Sequence, residues 1–91
     1  MRTIKYINQV SLVFPSRSAN EGFARMAAAS FAAQLDPTLE EVNDVKTAVS
    51  EAVTNAIVHA YPDTLGKIVL KLRIRQDNIL EIVVRDWGVG I

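Results

Sequence analysis

Three polar side chains recur at intervals of four residues in the middle of the chain: Glu51, Asn55 and His59. An α-helix turns by about 100° per residue, so a step of four rotates a side chain by only about 40°. The three are therefore predicted to form one slanted polar stripe on a helix, opposite a face of small apolar residues. A carboxylate, a carboxamide and an imidazole aligned in this way indicate a site rather than a plain solvated surface.

A second polar motif, D-W-G-V-G, occupies residues 86–90. A carboxylate there would accept a hydrogen bond from an amino group such as that of adenine, and the glycines after it would let a flat ring or a phosphate chain approach the backbone. Asn55 offers a neutral oxygen of the kind that Mg²⁺ binds together with phosphate and water oxygens. Glu51 could take a proton from an attacking hydroxyl or water. The sequence contains no Walker-type phosphate loop.

Each of these residues alone also has a simpler interpretation. Glu51 could be a surface glutamate, Asn55 a local hydrogen-bonding residue, and His59 a helix-end cation that is favourable against the helix dipole. The D-x-G-x-G motif alone could be an ordinary turn. The combination of both motifs, separated by about thirty residues, favours a nucleotide site.

Two helices are predicted between the first strand and the second motif. S-A-N-E and T-L-E-E are capping boxes that begin them at Ser18 and Thr38, with Glu21 and Glu41 as their acidic members. The first helix ends near residue 35, before an Asp-Pro step, and the second, which carries the polar stripe, covers residues 39–60. The first helix is expected to bury a stripe formed by Phe23, Met26, Ala27, Ser30, Phe31 and Gln34–Leu35.

Three strands are predicted from alternating patterns. Residues 5–14 form the first, with Tyr6 on the same face as the apolar residues that follow it. Residues 67–76 and 79–86 form a hairpin around a two-residue Asp-Asn turn. The alternation in the last strand places Asp86 on the buried, helix-facing side. The order β-α-α-β-β predicts a two-layer α/β sandwich with both helices on one face of a mostly antiparallel sheet.

Composition excludes several classes of protein. The 91 residues suffice for one domain, and ten basic residues balance ten acidic ones, which gives no reason to expect nucleic acid binding. The absence of cysteine excludes disulfides and thiolate metal sites. No apolar run approaches the roughly 20 residues of a membrane span, and no signal peptide is evident. A cytoplasmic protein is expected.

The two motifs resemble the N box and G1 box of the GHKL superfamily, which includes gyrase, Hsp90, MutL and histidine-kinase ATPase domains and shares the Bergerat ATP-binding fold. S-E-A-V-T-N-A-I-V-H-A-Y (residues 50–61) with R-D-W-G-V-G-I (residues 85–91) resembles the anti-sigma serine kinases of spore-forming bacteria. Within that family the chain is most similar to the sporulation branch, the anti-sigma-F family. N-E-G-F-A-R (residues 20–25) and A-A-Q-L-D-P-T (residues 32–38) carry the same resemblance.

The resemblance implies a function for individual residues. Glu51 would be the general base for a substrate serine, and Asn55 would coordinate Mg²⁺. Asp86 would bind adenine in an ATP pocket that His59, Gly88 and Gly90 help to form. Arg25 would lie on the surface that binds the partners. Trp87 stands where the family commonly has a polar residue, and it is expected to pack on the nucleotide ring, with capping of the sheet edge as the alternative.

The resemblance also implies partners. The family holds a sigma factor in one state, phosphorylates an anti-anti-sigma factor on serine, and forms homodimers near the first strand and helix. The chain is expected to be the N-terminal portion of such a domain, because the ATP lid and the later glycine box of the family do not follow the G1 box. Two alternatives stay open: a non-catalytic module that binds sigma factor or dimerises, and an ATPase of another branch, such as a histidine kinase.

Overall fold

The computed structural model describes residues 3–88 and confirms the predicted order of elements. These elements are strand β1 (Tyr6–Pro15), helix α1 (Ala19–Ala32), helix α2 (Leu39–Asn55), strand β2 (Lys67–Arg75) and strand β3 (Leu80–Asp86). A 3₁₀ turn (Ala33–Leu35) follows α1, and a π-helical turn (Ala56–Ala60) follows α2. The strands form one antiparallel sheet in the order β1-β2-β3. The two-layer α/β architecture expected from the sequence is therefore confirmed.

The core lies between the helices and the central strand β2. Four alternate side chains of β2 are fully buried, as the alternating pattern predicted: Ile68, Leu70, Leu72 and Ile74. They pack against side chains of the two helices and of the turn that follows α2, namely Ala24, Ala28, Phe31, Val49, Val53 and Ala56. This one-sided burial fixes the register of the hairpin, because a slip by one residue would turn the entire apolar face toward solvent. The site at the end of β3 inherits that fixed register.

Of the two predicted capping boxes, only the second is present. Thr38 Oγ1 accepts a hydrogen bond from the Glu41 N–H at 3.1 Å, and Glu41 Oε1 accepts one from the Thr38 N–H at 2.9 Å. The prediction for Ser18 was wrong, because its backbone is already helical and its side chain makes no capping bond. The Glu21 carboxylate instead accepts a hydrogen bond from Ser50 on α2. A contact between helices has replaced the local one.

We expect the two N-terminal residues to respond differently to the same kind of substitution. Thr38→Ala should lower the free energy of unfolding by about 1 kcal/mol, because it leaves helix N–H groups without a partner. Ser18→Ala is the matched control and should change it by only a few tenths of a kcal/mol, since no capping bond is lost. Urea denaturation measures both. Equal losses in the two variants would contradict the assignment of the caps.

The cap of α2 also has a pH dependence. The Thr38 N–H and then the Thr38 hydroxyl lower the pKa of Glu41. A carboxylate whose pKa is lower in the folded protein stabilises the fold above its unfolded pKa of about 4.3, and this contribution is lost as the pH falls through the folded value. The difference in stability between wild type and Glu41→Gln should therefore narrow under acidic conditions, which urea denaturation at several pH values measures.

The buried face of α1 differs from the predicted stripe. Phe23 and Met26 are exposed, at 66% and 56% of their surface, while a face of alanines together with Phe31 is buried. Small side chains let α1 approach both the sheet and α2 closely, so the helix is rotated toward its alanines. The larger side chains beside Arg25 are left in solvent.

Within residues 3–88, no helix is long and apolar enough to cross a membrane.

Two local irregularities departed from the predicted strands. A shift of register between Tyr6 and Asn8 turns Tyr6 to the helix-free face, where its hydroxyl donates to Glu81 at 3.0 Å. The prediction that Tyr6 shares the face of the later apolar residues was wrong, because a bulge reverses the alternation.

The hairpin is confirmed, but its turn has three residues rather than two. The Arg75 N–H bonds to the Ile79 carbonyl, and Asn78 adopts a left-handed conformation with φ of 65°.

Candidate functional site

An open cavity of about 430 Å³ lies where the C-terminal end of α2 meets the end of β3. It brings together three of the predicted site residues, Asn55, His59 and Asp86. Its remaining lining is small and apolar: Ala52, Ala56, Ala60 and Val84. Pockets for small ligands commonly combine an apolar wall with a few polar groups, and this volume is within their usual range. The two motifs thus converge on one site.

Asp86 ends β3 on the side that faces the helices. Its pairing with Ile68, a buried residue of β2, fixes that orientation, as the alternation predicted. The carboxylate is nevertheless exposed and not buried as expected, because β3 is at the edge of the described sheet and the cavity is open. One oxygen, Oδ1, accepts a hydrogen bond from the Gly88 N–H at 3.1 Å. The other has no hydrogen-bond partner among the described residues, and this leaves it free for a donor in the cavity.

Gly88 lies against the helix end, where no larger residue fits. A Cβ atom placed on it would overlap the backbone and Cβ of Ala60, which lines the cavity. The glycine is therefore required for the close approach of the D-x-G turn to the helix. The second glycine of the motif, Gly90, lies outside the described residues.

His59 lies in the π-helical turn that follows α2. Such turns have i→i+5 hydrogen bonds, are wider than α-helical turns and occur frequently at functional sites. The sequence predicted an uninterrupted α-helix to residue 60, and its apolar spacing gave no sign of the wider turn. His59 and Asn55 both line the cavity.

Glu51 lies outside this cavity. It lines a second open groove, about 580 Å³ in volume, between α1 and α2. Arg25, the predicted partner-binding residue, lines the same groove, together with Met26, Asn43, Lys46, Thr47 and Ser50. Glu51 is one helical turn from Asn55, so the groove and the cavity lie along successive turns of α2. The structure therefore divides the predicted stripe between two neighbouring depressions.

A small polar cluster joins the two helices beside this groove. Ser50 donates a hydrogen bond to Oε1 of Glu21, and Nη1 of Arg25 is 3.6 Å from the same oxygen. Ser50 directly precedes Glu51 in the chain. The position of Arg25 is thereby linked through Glu21 to the turn of α2 that carries Glu51.

The Trp87 side chain is directed away from the cavity. Its ring lies 4.2 Å from Nζ of Lys67 and 5.4 Å from the guanidinium carbon of Arg85, both of which alternate with inward-facing residues of their strands. The expectation that it packs on a bound ring was wrong, because the residue after an inward-facing Asp86 must face outward. Half of the side chain is exposed, and it caps the helix-free face of the sheet through cation–π contacts.

Sequence reasoning missed Tyr61. Its hydroxyl accepts a hydrogen bond from the Trp87 N–H at 2.7 Å and donates one to the Lys67 carbonyl at 2.8 Å. This residue therefore ties the end of the π-helical turn to the D-x-G motif. Its place at the end of the polar stretch, just before Pro62, marked it only as the start of a loop.

The residues of the site fit a nucleotide-borne cation better than a resident metal. Among residues 3–88, no group of three histidine or acidic side chains is placed to hold an ion. Mg²⁺ is commonly held in nucleotide sites by one or two protein oxygens while phosphates and water supply the rest. The carboxamide of Asn55, on the cavity wall, is an oxygen donor of this kind.

Comparison with known proteins agrees with this geometry. Residues 14–91 match the model of the family described as "Histidine kinase-like ATPase domain". Curated proteins named "Anti-sigma F factor" are similar to the chain. The protein of Caldanaerobacter subterraneus subsp. tengcongensis is 54% identical over 88 residues, which cover 97% of this chain and 61% of that protein. The protein of Priestia megaterium is 47% identical over 85 residues, which cover 92% and 58%.

The chain thus spans about three fifths of the length of these relatives. The matched family model includes α1, α2 and the hairpin, and with them both depressions along α2. An ATPase domain implies ATP binding, for which the cavity with Asp86 and Asn55 is suited. The chain belongs to the histidine kinase-like ATPase domain family.

Proposed function

We propose that the chain binds Mg·ATP in the cavity at the end of α2, and that the full protein is an anti-sigma factor with serine kinase activity. The convergence of Asn55, His59 and Asp86 on one cavity carries the proposal, since these residues come from two distant parts of the sequence. The relatives named anti-sigma F factor supply the class of partner, a sigma factor. The phospho-acceptor is a serine of an anti-anti-sigma protein.

The adenine base occupies the side of the cavity formed by β3. The free oxygen of Asp86 accepts a hydrogen bond from the exocyclic amino group of the base. Val84 and the alanines of the helix supply an apolar wall for the ring, and Gly88 keeps the turn close to the helix end. A base without this amino group offers no donor to the carboxylate, so Asp86 determines the preference for adenine.

The phosphates lie toward α2, along the side chains of His59 and Asn55. Asn55 supplies one oxygen to Mg²⁺, which neutralises phosphate charge. His59 adds a donor from the π-helical turn.

Glu51 serves as the general base for transfer to serine. The groove that it shares with Arg25 is open, has a volume of about 580 Å³ and is proposed to receive the partner segment that carries the serine. Glu51 takes the proton of the serine hydroxyl as the oxygen forms its bond to the γ-phosphorus, and the bond to the β–γ bridging oxygen breaks to release ADP. Arg25 orients the partner on the other wall of the groove, where its guanidinium carries positive charge into solvent.

A second candidate is a binding module without catalysis. Phe23 and Met26 are exposed on one face of α1, and Met26 lines the same groove as Arg25. Aromatic residues, methionine and arginine are enriched in protein-binding surfaces. β1 lies at the edge of the described sheet, which suits dimerisation by strand pairing. This candidate retains sigma-factor binding and homodimerisation but not ATP turnover. A histidine kinase of the same superfamily is less well supported, since the relatives are named as anti-sigma factors.

Calorimetric titration with ATP tests the proposed nucleotide site. The wild-type chain should bind ATP in the presence of Mg²⁺, and removal of the metal with EDTA should weaken binding. In the presence of Mg²⁺, Asp86→Asn should bind ATP about 10 to 100 times more weakly than the wild type, because a hydrogen bond to a charged group contributes about 1.5–3 kcal/mol. No heat with the wild type, together with retained sigma-factor binding, would favour the non-catalytic module.

Asp44→Asn is the matched control for this titration. Asp44 is an exposed carboxylate on α2, and it does not line the cavity. The substitution removes the same charge from the chain without touching the site, so ATP affinity should stay at the wild-type value. Equal weakening by both variants would show a general effect of charge and would contradict adenine binding by Asp86.

A further inference from the structure

A single hydroxyl connects three elements at the edge of the cavity. Tyr61 follows the π-helical turn, and its oxygen lies between the Trp87 N–H on one side and the Lys67 carbonyl on the other, at 2.7 and 2.8 Å. The last paired residues of β2 and β3 are Ile68 and Asp86. The hydroxyl thus bridges the two strands just beyond the end of their ladder, where the chain turns into the D-x-G motif.

The ring of Tyr61 is held as firmly as its hydroxyl. It packs against the core cluster, and it lies so close to Gly66 that a Cβ atom there would overlap it. An aromatic ring held on both sides has little freedom to swing, so its oxygen is a fixed point. The peptide that donates to this oxygen is therefore fixed too.

Trp87, whose N–H donates to this oxygen, lies between Asp86 and Gly88 in the motif. The Gly88 N–H in turn donates to Asp86 Oδ1. Holding the Trp87 N–H fixes the turn in which the next N–H, that of Gly88, is bonded to Asp86 Oδ1. The other oxygen is then the one available to the cavity that Asp86 lines.

We propose that Tyr61 is a positioning residue for adenine recognition. Its hydroxyl holds the turn so that the free oxygen of Asp86 meets the amino group of the base, and it thereby sets the preference for adenine over bases that lack this group. This inference rests on the proposed nucleotide site. It assigns part of the preference for adenine to Tyr61, a residue that does not touch the bound nucleotide.

The test compares ATP with inosine triphosphate, which has an oxygen in place of the amino group. Tyr61→Phe keeps the ring and removes only the hydroxyl. It should bind ATP about tenfold more weakly than wild type, the loss of one to two hydrogen bonds, while its affinity for inosine triphosphate stays unchanged. The ratio of the two affinities should fall toward that of Asp86→Asn. A structural effect alone would weaken both nucleotides equally and leave the ratio at its wild-type value.

Tyr6→Phe is the matched control, because the chain has only two tyrosines. The Tyr6 hydroxyl also makes a hydrogen bond, to Glu81 at 3.0 Å, but on the helix-free face. Both nucleotide affinities should remain at wild-type values in this variant. A fall in the ratio for Tyr6→Phe equal to that for Tyr61→Phe would overturn the assignment.

A measurement on the wild-type chain makes the test independent of how well the variant folds. Trp87 lies beyond the strand ladder, yet its amide should be protected from hydrogen exchange by the Tyr61 hydroxyl. Exchange at the rate of an unprotected amide would overturn the inference, as would an unchanged affinity ratio in Tyr61→Phe. A wild-type chain that binds neither nucleotide overturns the proposed site itself, and the inference with it, before any variant is measured.

Discussion

Replacing Glu51 with glutamine should abolish serine phosphorylation by the full protein while leaving ATP binding intact. Glu51 lines the groove beside the nucleotide cavity and is exposed, so the substitution removes a base without disturbing the core. Glutamine has nearly the same shape but cannot accept a proton. A general base contributes between about a hundredfold and ten-thousandfold to a rate, and the transfer rate should fall by such a factor.

The unequal effect on binding and transfer is what identifies the function of Glu51. Asp86, His59 and Asn55 line a different depression, so the ATP affinity of Glu51→Gln should match wild type within a factor of two or so. Phosphate transfer to the partner serine is measured with labelled ATP, and affinity by calorimetry. Transfer at the wild-type rate would contradict the assignment of Glu51 as the base.

Glu40→Gln is the matched control for this prediction. Glu40 is an exposed glutamate in the first turn of the same helix, and it lines neither depression. Glu40→Gln should lower the free energy of unfolding by only a few tenths of a kcal/mol, which is what a carboxylate contributes near a helix N-terminus. Its transfer rate should equal that of wild type, so any loss specific to Glu51 reports on the groove.

The fold could be predicted largely because its decisive signals are local. The four buried residues of β2 alternate without interruption, and a one-residue slip would expose all of them, so strand, face and register follow from one pattern. The orientation of Asp86 follows from the same alternation, carried through the hairpin to the end of β3. The position of Asp86 on the wall of the cavity therefore follows from short-range information.

The failures have long-range causes. Ser18 and Thr38 open similar sequences, but Glu21 has a competing partner in Ser50, 29 residues away, and Glu41 has none among the described residues. No local pattern reveals that competition. The same holds for Tyr61, whose hydroxyl bonds to Trp87 at a separation of 26 residues.

The division of the polar stripe between two depressions has a geometric cause. Each step of four residues rotates a side chain by about 40°, so Glu51 and His59 differ by roughly 80° even on a regular helix. Glu51 consequently faces α1, while Asn55 and His59 face the end of β3. The angle between these side chains can be calculated from the sequence. Which neighbour each side chain faces depends on the position of α1, and that position is set by the packing of its alanine face.

The second large effect is expected at Gly88. Gly88→Ala should lower the free energy of unfolding by about 1–3 kcal/mol, the usual cost of forcing an extra methyl group into a packed position. The methyl group would overlap the backbone of Ala60, so either the D-x-G turn or the helix end must move. Because both line the cavity, ATP affinity should fall by at least about tenfold. Urea denaturation and calorimetry give the two quantities.

Gly22→Ala is the matched control, because the same added methyl group should raise the free energy of unfolding there. Gly22 lies inside α1, where an added Cβ would have only an ordinary contact, 3.6 Å from Nη2 of Arg25. Alanine in a helix is favoured over glycine by about 0.5–1 kcal/mol, so this variant should be more stable than wild type and bind ATP equally well. Gly88 has no positive φ that would require glycine, so its intolerance of alanine would come from space alone. A Gly88→Ala protein with wild-type stability and affinity would mean that the turn can move away from Ala60 without cost, and close packing of the turn on the helix would not be what shapes the pocket.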